Sequence, residues 1–301
     1  TLLASSAASD VYKRQILLQR SSVKSLTFLG DMFDGVQCPC ILLQLIATGK
    51  PLSTAGMMIE DRTRTYTIAM ERTVVPENFS FRMTDEEYRV LEKIKNSIPV
   101  CYLADHADFA LGIVTGNNKK FLSAEKTENS EMVLKGTDIC KYHINPAKQY
   151  LRFEPEQFQQ VAPLEIYRAP EKLLYRFISN QLVVAYDDRQ MLSLNSCNIV
   201  IPKIEGMQIK YILAILNSSV SQFVYQKEFH SIKVLRAHME HIPIPRVGKA
   251  IQNEIIAMTE PLICGMGKEA AETCQKRLDC RIMDLFRLSA EEQWIIRHAL
   301  H

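Results

Sequence analysis

The chain has 301 residues, 47% hydrophobic and 23% charged, a globular composition with apolar material for two modest cores, which excludes a disordered tail. Its formal net charge is only +2, so any affinity for nucleic acid has to come from local clustering and not from a uniformly basic protein. Eight Cys occur without a Cys-x-x-Cys pair and seven His are scattered, which argues against a zinc ribbon or a disulfide framework and for the reduced thiols of a cytoplasmic protein; charged residues interrupt every apolar run before the ~20 residues of a membrane span, so a soluble protein is expected.

In chain order, "TLLASSAASDVYKRQ" lacks an initial Met and a clear amphipathic period. It is similar to the conceptual translation of a sequencing adapter, and residues 1–15 are set aside from fold reasoning; the other reading is a natural flexible terminus. From Val23 to Ile46 the pattern is strand, turn, strand: "VKSLTFLG", "DMFDGVQCP" and "CILLQLI", the last a continuous apolar run of the kind found in buried strands. "MMIED" and "TYTIAME" read as short strands, and "MTDEEYRVLEKIKN" as a helix with Thr84 as N-cap and Glu87 as its capping-box partner. Next comes "FALGIVTGNNKKFL", residues 109–122. Two readings are open for it: a solvated hairpin, since Gly-Asn-Asn is turn chemistry, or a basic turn that touches a phosphate backbone. "YLRFEPEQF" is extended, and residues 173–201 form a strand meander with a turn at Ser179-Asn180. From Met207 apolar residues recur at helical spacing, predicting an amphipathic helix across the meander, with Asn217 and Ser218 as its break or cap. The prolines of "HIPIP" favour an extended crossing, and the tail holds two more helices, the last capped by Ser289 and Glu292.

Catalytic constellations are absent from the sequence: there is no Gly-x-Gly-x-x-Gly, phosphate-cradling Gly-Lys-Ser/Thr, Gly-x-Ser-x-Gly or His-Glu-x-x-His. Asp187 and Asp188 are adjacent, so in a strand they face opposite ways and read as a strand-end turn. Cys38 and Cys40 read as core thiols and not as metal ligands. Basic residues do cluster: Lys203, Lys210, Lys227, Lys233, Arg236, Arg246 and Lys249 face only Glu205, Glu228 and Glu240 in the same window. Such an excess is often a solvated helix face. Together with Lys119, Lys120, Arg168 and Arg176 it supplies several phosphate-neutralising side chains beside amides suited to base edges.

"FALGIVTGNNKKFL", then "IYRAPEKLLYRFISNQLVVAYDDRQMLSLNSCNIVIPK", "YILAILNSSVSQFVYQ" and "HIPIP" together resemble the target recognition domain of TaqI-like adenine-specific DNA methyltransferases and related restriction-modification and phage-defence enzymes, over roughly residues 109–245. "LDCRIMDLFRLSAEEQWII" resembles the family's closing segment, and "LTFLGDMFDGVQCPCILLQL" the last strands of its Rossmann-like catalytic domain. The resemblance implies a mixed α/β fold: residues 16–82 as the trailing edge of a methyltransferase sheet, 83–250 as the recognition domain and 251–301 as a helical segment. It implies double-stranded DNA as partner, held by Thr115, Gly116, Asn117, Asn118, Lys119, Lys120, Arg168, Arg176, Lys227, Lys233 and Arg236. It further implies methyl transfer from S-adenosylmethionine to a flipped adenine in the parent enzyme. The family's glycine turn for that cofactor and its Asn/Asp-Pro-Pro-Tyr/Phe motif are missing from this sequence. A methyltransferase core upstream is therefore an expected partner, and the isolated chain is expected to transfer no methyl group. The alternative is a non-catalytic specificity subunit working with separate methylase and nuclease chains.

Overall fold

A computed structural model describes residues 8–35, 39–74, 81–229 and 231–300, which form a mixed α/β protein of two compact units, Thr1–Glu92 with Lys227–His230, and Lys93–Gln226 with Ser231–His301. No helix among the described residues is long and apolar enough to cross a membrane.

The first unit begins with helix α1 (Ala8–Arg20), which runs through the boundary expected at residue 15 and carries a buried Arg14. Strands β1 (Ser21–Asp31), β2 (Pro39–Ala47), β3 (Met58–Glu60) and β4 (Thr65–Thr67) form one sheet in the order β2-β1-β3-β4. β1 is antiparallel to β2 and parallel to β3. Val23, Leu26, Met57, Ile59, Ile68 and Phe81 make its core. The apolar run of β2 forms a strand, as its composition predicts, but not a buried one. β2 is an edge strand, and Leu42, Leu45 and Ile46 remain 55%, 43% and 51% exposed. Continuous apolarity signals cover on both faces, and among the described residues only β1 pairs with it. Cys40 is half-buried; Val36, Gln37 and Cys38 lie outside the described residues.

Helix α2 (Asp85–Asn96) starts with the expected reciprocal cap: Glu87 donates its N–H to Thr84 Oγ1 (3.2 Å), and the Thr84 N–H donates to Glu87 Oε2 (2.8 Å). Burial opposes ionisation of the Glu87 carboxyl, but Lys227 (2.8 Å), Arg64 (3.0 Å) and the Thr84 amide outweigh it and hold its pKa below the usual range.

In the second unit the strands are β5 (Val100–Cys101), β6 (Ala107–Ala110), β7 (Leu122–Ser123), β8 (Ser130–Leu134), β9 (Tyr150–Arg152), β10 (Lys172–Arg176), β11 (Val184–Asp187), β12 (Leu192–Ser193), β13 (Cys197–Pro202) and β14 (Ile244–Pro245). The strands predicted as a meander do form an antiparallel sheet, but its order is β11-β10-β13-β6, with β10 between β11 and β13, and β12 joins a second sheet of order β12-β8-β9-β7. Both contribute to one core, with Leu174, Ala185, Cys197 and Ile199 from the first and Val133, Leu134, Leu151 and Leu192 from the second. Short helices α3 (Asn118–Phe121) and α4 (Leu164–Tyr167) lie in the connections.

The predicted long helix is two, α5 (Ile209–Asn217) and α6 (Ser219–Glu228). Asn217 ends α5 while its amide accepts from the Val184 N–H (3.0 Å) and donates to the Val184 carbonyl (2.8 Å), and Gln222 accepts from the Leu182 N–H (2.9 Å). Backbone groups on the outer side of the edge strand β11 are thus satisfied by the Asn217 side chain and by the Tyr142 backbone, which donates to the Val184 carbonyl (2.7 Å) and accepts from the Tyr186 N–H (3.1 Å), and this keeps that edge from templating further pairing. "HIPIP" follows the short α7 (Arg236–Glu240) and supplies β14, antiparallel to β5. Beyond it stand three described helices where two were expected: α8 (Lys249–Ile263), α9 (Lys268–Leu285) and α10 (Ala290–Ala299). Gly265, at φ +77°, and Gly267 divide α8 from α9, and Ser289 and Glu292 cap α10 reciprocally.

Candidate nucleic-acid interface

"FALGIVTGNNKKFL" is not a hairpin. It carries the chain from β6 in one sheet to β7 in the other. Its two glycines serve different needs. A Cβ on Gly112 would stand 2.1 Å from the Leu194 carbonyl oxygen and 2.6 Å from that of Cys197, so only glycine lets the strand cross this close to the β12–β13 turn. The crossing is fixed by Ile113 N–H to Ser193 O (2.7 Å) and Asn195 N–H to Ile113 O (3.1 Å). Gly116 has room for a Cβ but sits at φ +75°, where glycine is favoured.

Past Gly116 the polar residues are largely engaged with one another. Thr115 is buried and its hydroxyl donates to Asn118 Oδ1 (2.6 Å); Asn117 caps α3 by accepting from the Lys120 N–H (3.3 Å). Phe121 anchors the turn edge-on against Phe158 (5.3 Å between ring centroids). Lys120 stands over the Phe121 ring and donates to Gln157 Oε1 (3.4 Å), while Lys119 is exposed.

A second segment, residues 153–163, lies against this turn, and its polar residues were not read as site residues from the sequence. Val114 and Gln160 exchange two backbone hydrogen bonds (2.8 and 3.1 Å), and the Gln159 side chain lies over Gly116. Phe158 points into the core and leaves Gln157, Gln159 and Gln160 exposed around it. The signal was one buried aromatic ringed by three amides in "QFQQ", visible only once Phe158 is known to be inward.

The other expected contacts are dispersed. Arg168 donates to Glu131 Oε1 (2.5 Å) and to the Gln190 carbonyl (2.7 Å). Arg176 donates from Nε to the Gly136 carbonyl (2.9 Å) and from Nη2 to that of Ile139. Lys227 is buried against Glu87, and this burial lowers its pKa although Glu87 opposes the shift. Arg236 is exposed, lies over the Phe109 ring and pairs with Glu240 (2.7 Å); Lys233 is exposed beside Phe177. The basic excess of residues 203–249 is therefore not a stripe. Lys203 pairs with Asp108 (2.6 Å), Lys210 with Glu260 (2.7 Å) and Lys227 with Glu87, acids that lie outside that window in sequence. Within the expected set, Lys119, Lys120, Lys233 and Arg176 make no ion pair among the described residues, and of these Arg176 is spent on two backbone carbonyls.

Asp187 and Asp188 form the strand-end turn that their adjacency predicts. Asp187 accepts the Arg189 and Met191 N–H groups (2.9 Å each) and is fully buried against Lys172 (2.5 Å), whose ammonium also donates to the Tyr167 carbonyl (2.6 Å). Desolvation lowers the Lys172 pKa and Asp187 opposes the shift. No group of His, Cys, Asp and Glu that could hold a metal occurs among the described residues.

Residues 131–244 match the family model of the TaqI-like C-terminal specificity domain. The match begins after the 109–122 stretch and ends within β14. No curated protein sequence matches the chain. Among solved structures, the chain is similar to the Type IIL restriction-modification enzyme MmeI in complex with DNA, with a TM-score of 0.59 and 10% identity over 97% of this chain and 47% of that one. It also matches, at TM-scores of 0.37 and 0.38, the HsdS subunit from Thermoanaerobacter tengcongensis (14% identity, 72% of this chain, 50% of that one) and the type IIG restriction endonuclease BpuSI (9% identity, 95% and 46%). The chain thus spans about half the length of these proteins, and the likeness to MmeI is one of fold. Residues 131–244 of the second unit are thus similar to a TaqI-like C-terminal specificity domain.

Proposed function

We propose that this chain is the DNA-reading part of a restriction-modification protein, which docks duplex DNA on the turn that joins β6 to β7 and presents a target adenine for methylation. The observation that carries the reading is the convergence on one surface of two cations outside any ion pair, Lys119 and Lys120, with a group of exposed amides, in a unit whose core matches a specificity domain. Lysines orient a phosphate backbone without reading sequence, whereas amides can pair with base edges in the major groove.

S-adenosylmethionine is the methyl donor this reading implies, and the chain's own residues do not fit it. The fold that binds such a cofactor needs a glycine turn leading from a parallel strand into a helix. In the first unit β1 leads instead into the Gly35 turn and then to an antiparallel neighbour. The exposed apolar edge of β2 fits a sheet completed by the rest of a larger parent protein.

Titration of duplex DNA by fluorescence anisotropy at several salt concentrations tests the reading. Lys119→Ala with Lys120→Ala should weaken binding to all duplexes and lower the slope of log K against log salt by ~1 to 2 if both contact phosphate. An unchanged slope would make the turn a solvated connection and not a DNA contact.

A further inference from the structure

Five exposed amide side chains gather where the β6–β7 turn meets residues 153–163: Asn117, Asn118, Gln157, Gln159 and Gln160. Reading adenine in the major groove takes both ends of one amide at once, the carbonyl accepting from N6–H and the NH2 donating to N7. An amide already committed at its carbonyl makes a poorer reader.

Three of the five are committed. Asn117 accepts the Lys120 N–H as the cap of α3, Asn118 accepts the Thr115 hydroxyl at 2.6 Å, and Gln157 donates to Glu154 (2.7 Å) while accepting from Lys120 (3.4 Å). Gln159 and Gln160 are exposed and their side chains take part in no hydrogen bond among the described residues. Their backbone is nonetheless held. Gln160 is doubly bonded to Val114, the Phe158 ring between Gln157 and Gln159 is packed against Phe121 and Phe153, and the stem of Gln159 rests on Gly116. A rigid mount carrying uncommitted amides limits the ordering that binding would otherwise require.

We infer that Gln159 and Gln160 are the adenine-reading side chains of this surface, and that Asn117 and Asn118 build the turn that presents Lys119 and Lys120 to the backbone. The inference rests on the DNA-reading function proposed above and assigns the division of labour within it.

The experiment is selection of bound duplexes from a randomised pool by the full chain and by two variants, Gln159→Ala with Gln160→Ala and Asn117→Ala, followed by titration of the selected duplex with 7-deazaadenine at each enriched adenine. The wild type should enrich adenine at one or more positions and lose roughly 5- to 150-fold in affinity where N7 is removed from a bidentate contact. The double Gln variant should lose that preference and become indifferent to 7-deazaadenine, with the salt dependence of non-specific binding unchanged. Asn117→Ala should keep the preference. Since both glutamine side chains are exposed and uncommitted, the double variant should melt with the wild type. A wild type that binds duplexes without any preference would overturn the DNA-reading function itself. A wild type that prefers adenine beside a double Gln variant that keeps the preference would overturn only the assignment to these residues.

Discussion

Substituting alanine at Gly112 and at Gly116 separates the two uses of glycine in the turn and tests how the reading surface is mounted. At Gly112 the new Cβ would meet backbone atoms, Leu194 O at 2.1 Å and Cys197 O at 2.6 Å, and backbone cannot swing aside as a side-chain tip can. The crossing has to open by more than an ångström. It then strains or breaks Ile113 N–H to Ser193 O, Asn195 N–H to Ile113 O and Cys197 N–H to Leu194 O, at 2.7, 3.1 and 2.7 Å. At about 1 kcal/mol net for each bond and about 1 to 3 kcal/mol for overpacking, Gly112→Ala should cost about 4 to 6 kcal/mol. Gly116→Ala meets only the Gln159 side chain, Cβ at 3.4 Å and Oε1 at 3.5 Å, and carries just the left-handed backbone penalty, about 1 to 2 kcal/mol. Thermal unfolding followed by circular dichroism, at about 2 to 4 °C per kcal/mol for a unit of this size, should show the Gly112 variant melting well below the Gly116 variant. Gly116→Ala should retain DNA binding. Equal melting of the two variants, or a Gly112 variant as stable as the wild type, would refute the close-approach argument.

Asp187→Asn should destabilise the protein by about 3 to 5 kcal/mol by leaving the buried Lys172 ammonium without its counter-charge. Because the unfolded state then holds that proton more tightly than the folded state, the deficit measured by urea denaturation should shrink from pH 6 to pH 9. His238 is buried, with its pKa lowered to about 4 by desolvation and then by His241, and its Nδ1 accepts the Leu235 N–H. Its folded pKa lies below the unfolded value of about 6.5, so stability should fall as pH drops from about 6.5 toward 4, by up to about 3 kcal/mol, and His238→Gln should flatten that limb. Arg176→Ala should lower the melting temperature, because two carbonyls lose their donor, and should leave the salt slope of DNA binding unchanged; a reduced slope would return Arg176 to the phosphate-contacting set.

Local patterns were legible wherever a residue's partner is close in sequence. The Thr84/Glu87 and Ser289/Glu292 caps and the Asp187 turn follow from spacing alone, since each is closed by hydrogen bonds within a few residues; the strands of 173–201 were legible from their apolar pattern, but their order in the sheet was not, because β10 pairs with the distant β13 as well as with β11. The break of the long helix was visible at Asn217-Ser218, although the reason for it, the edge of β11, was not. The TaqI-like resemblance was carried by ordered motifs over a long stretch and agrees with the family match at 131–244. Charge was decided by tertiary structure. Counting acids between residues 203 and 249 left most of the lysines unopposed, but Asp108, Glu260 and Glu87 arrive from other segments to neutralise them, and Arg176 turns inward to carbonyls. Coulombic pairing depends on distance in space and takes no account of separation along the chain. The amide group at the candidate interface was hidden for the same reason. Asn117 and Gln159 stand 42 positions apart in the sequence; only the Val114–Gln160 pairing and the inward Phe158 bring their segments onto one surface, and only the hydrogen bonds made there decide which amides are already spent on the turn and which still face outward.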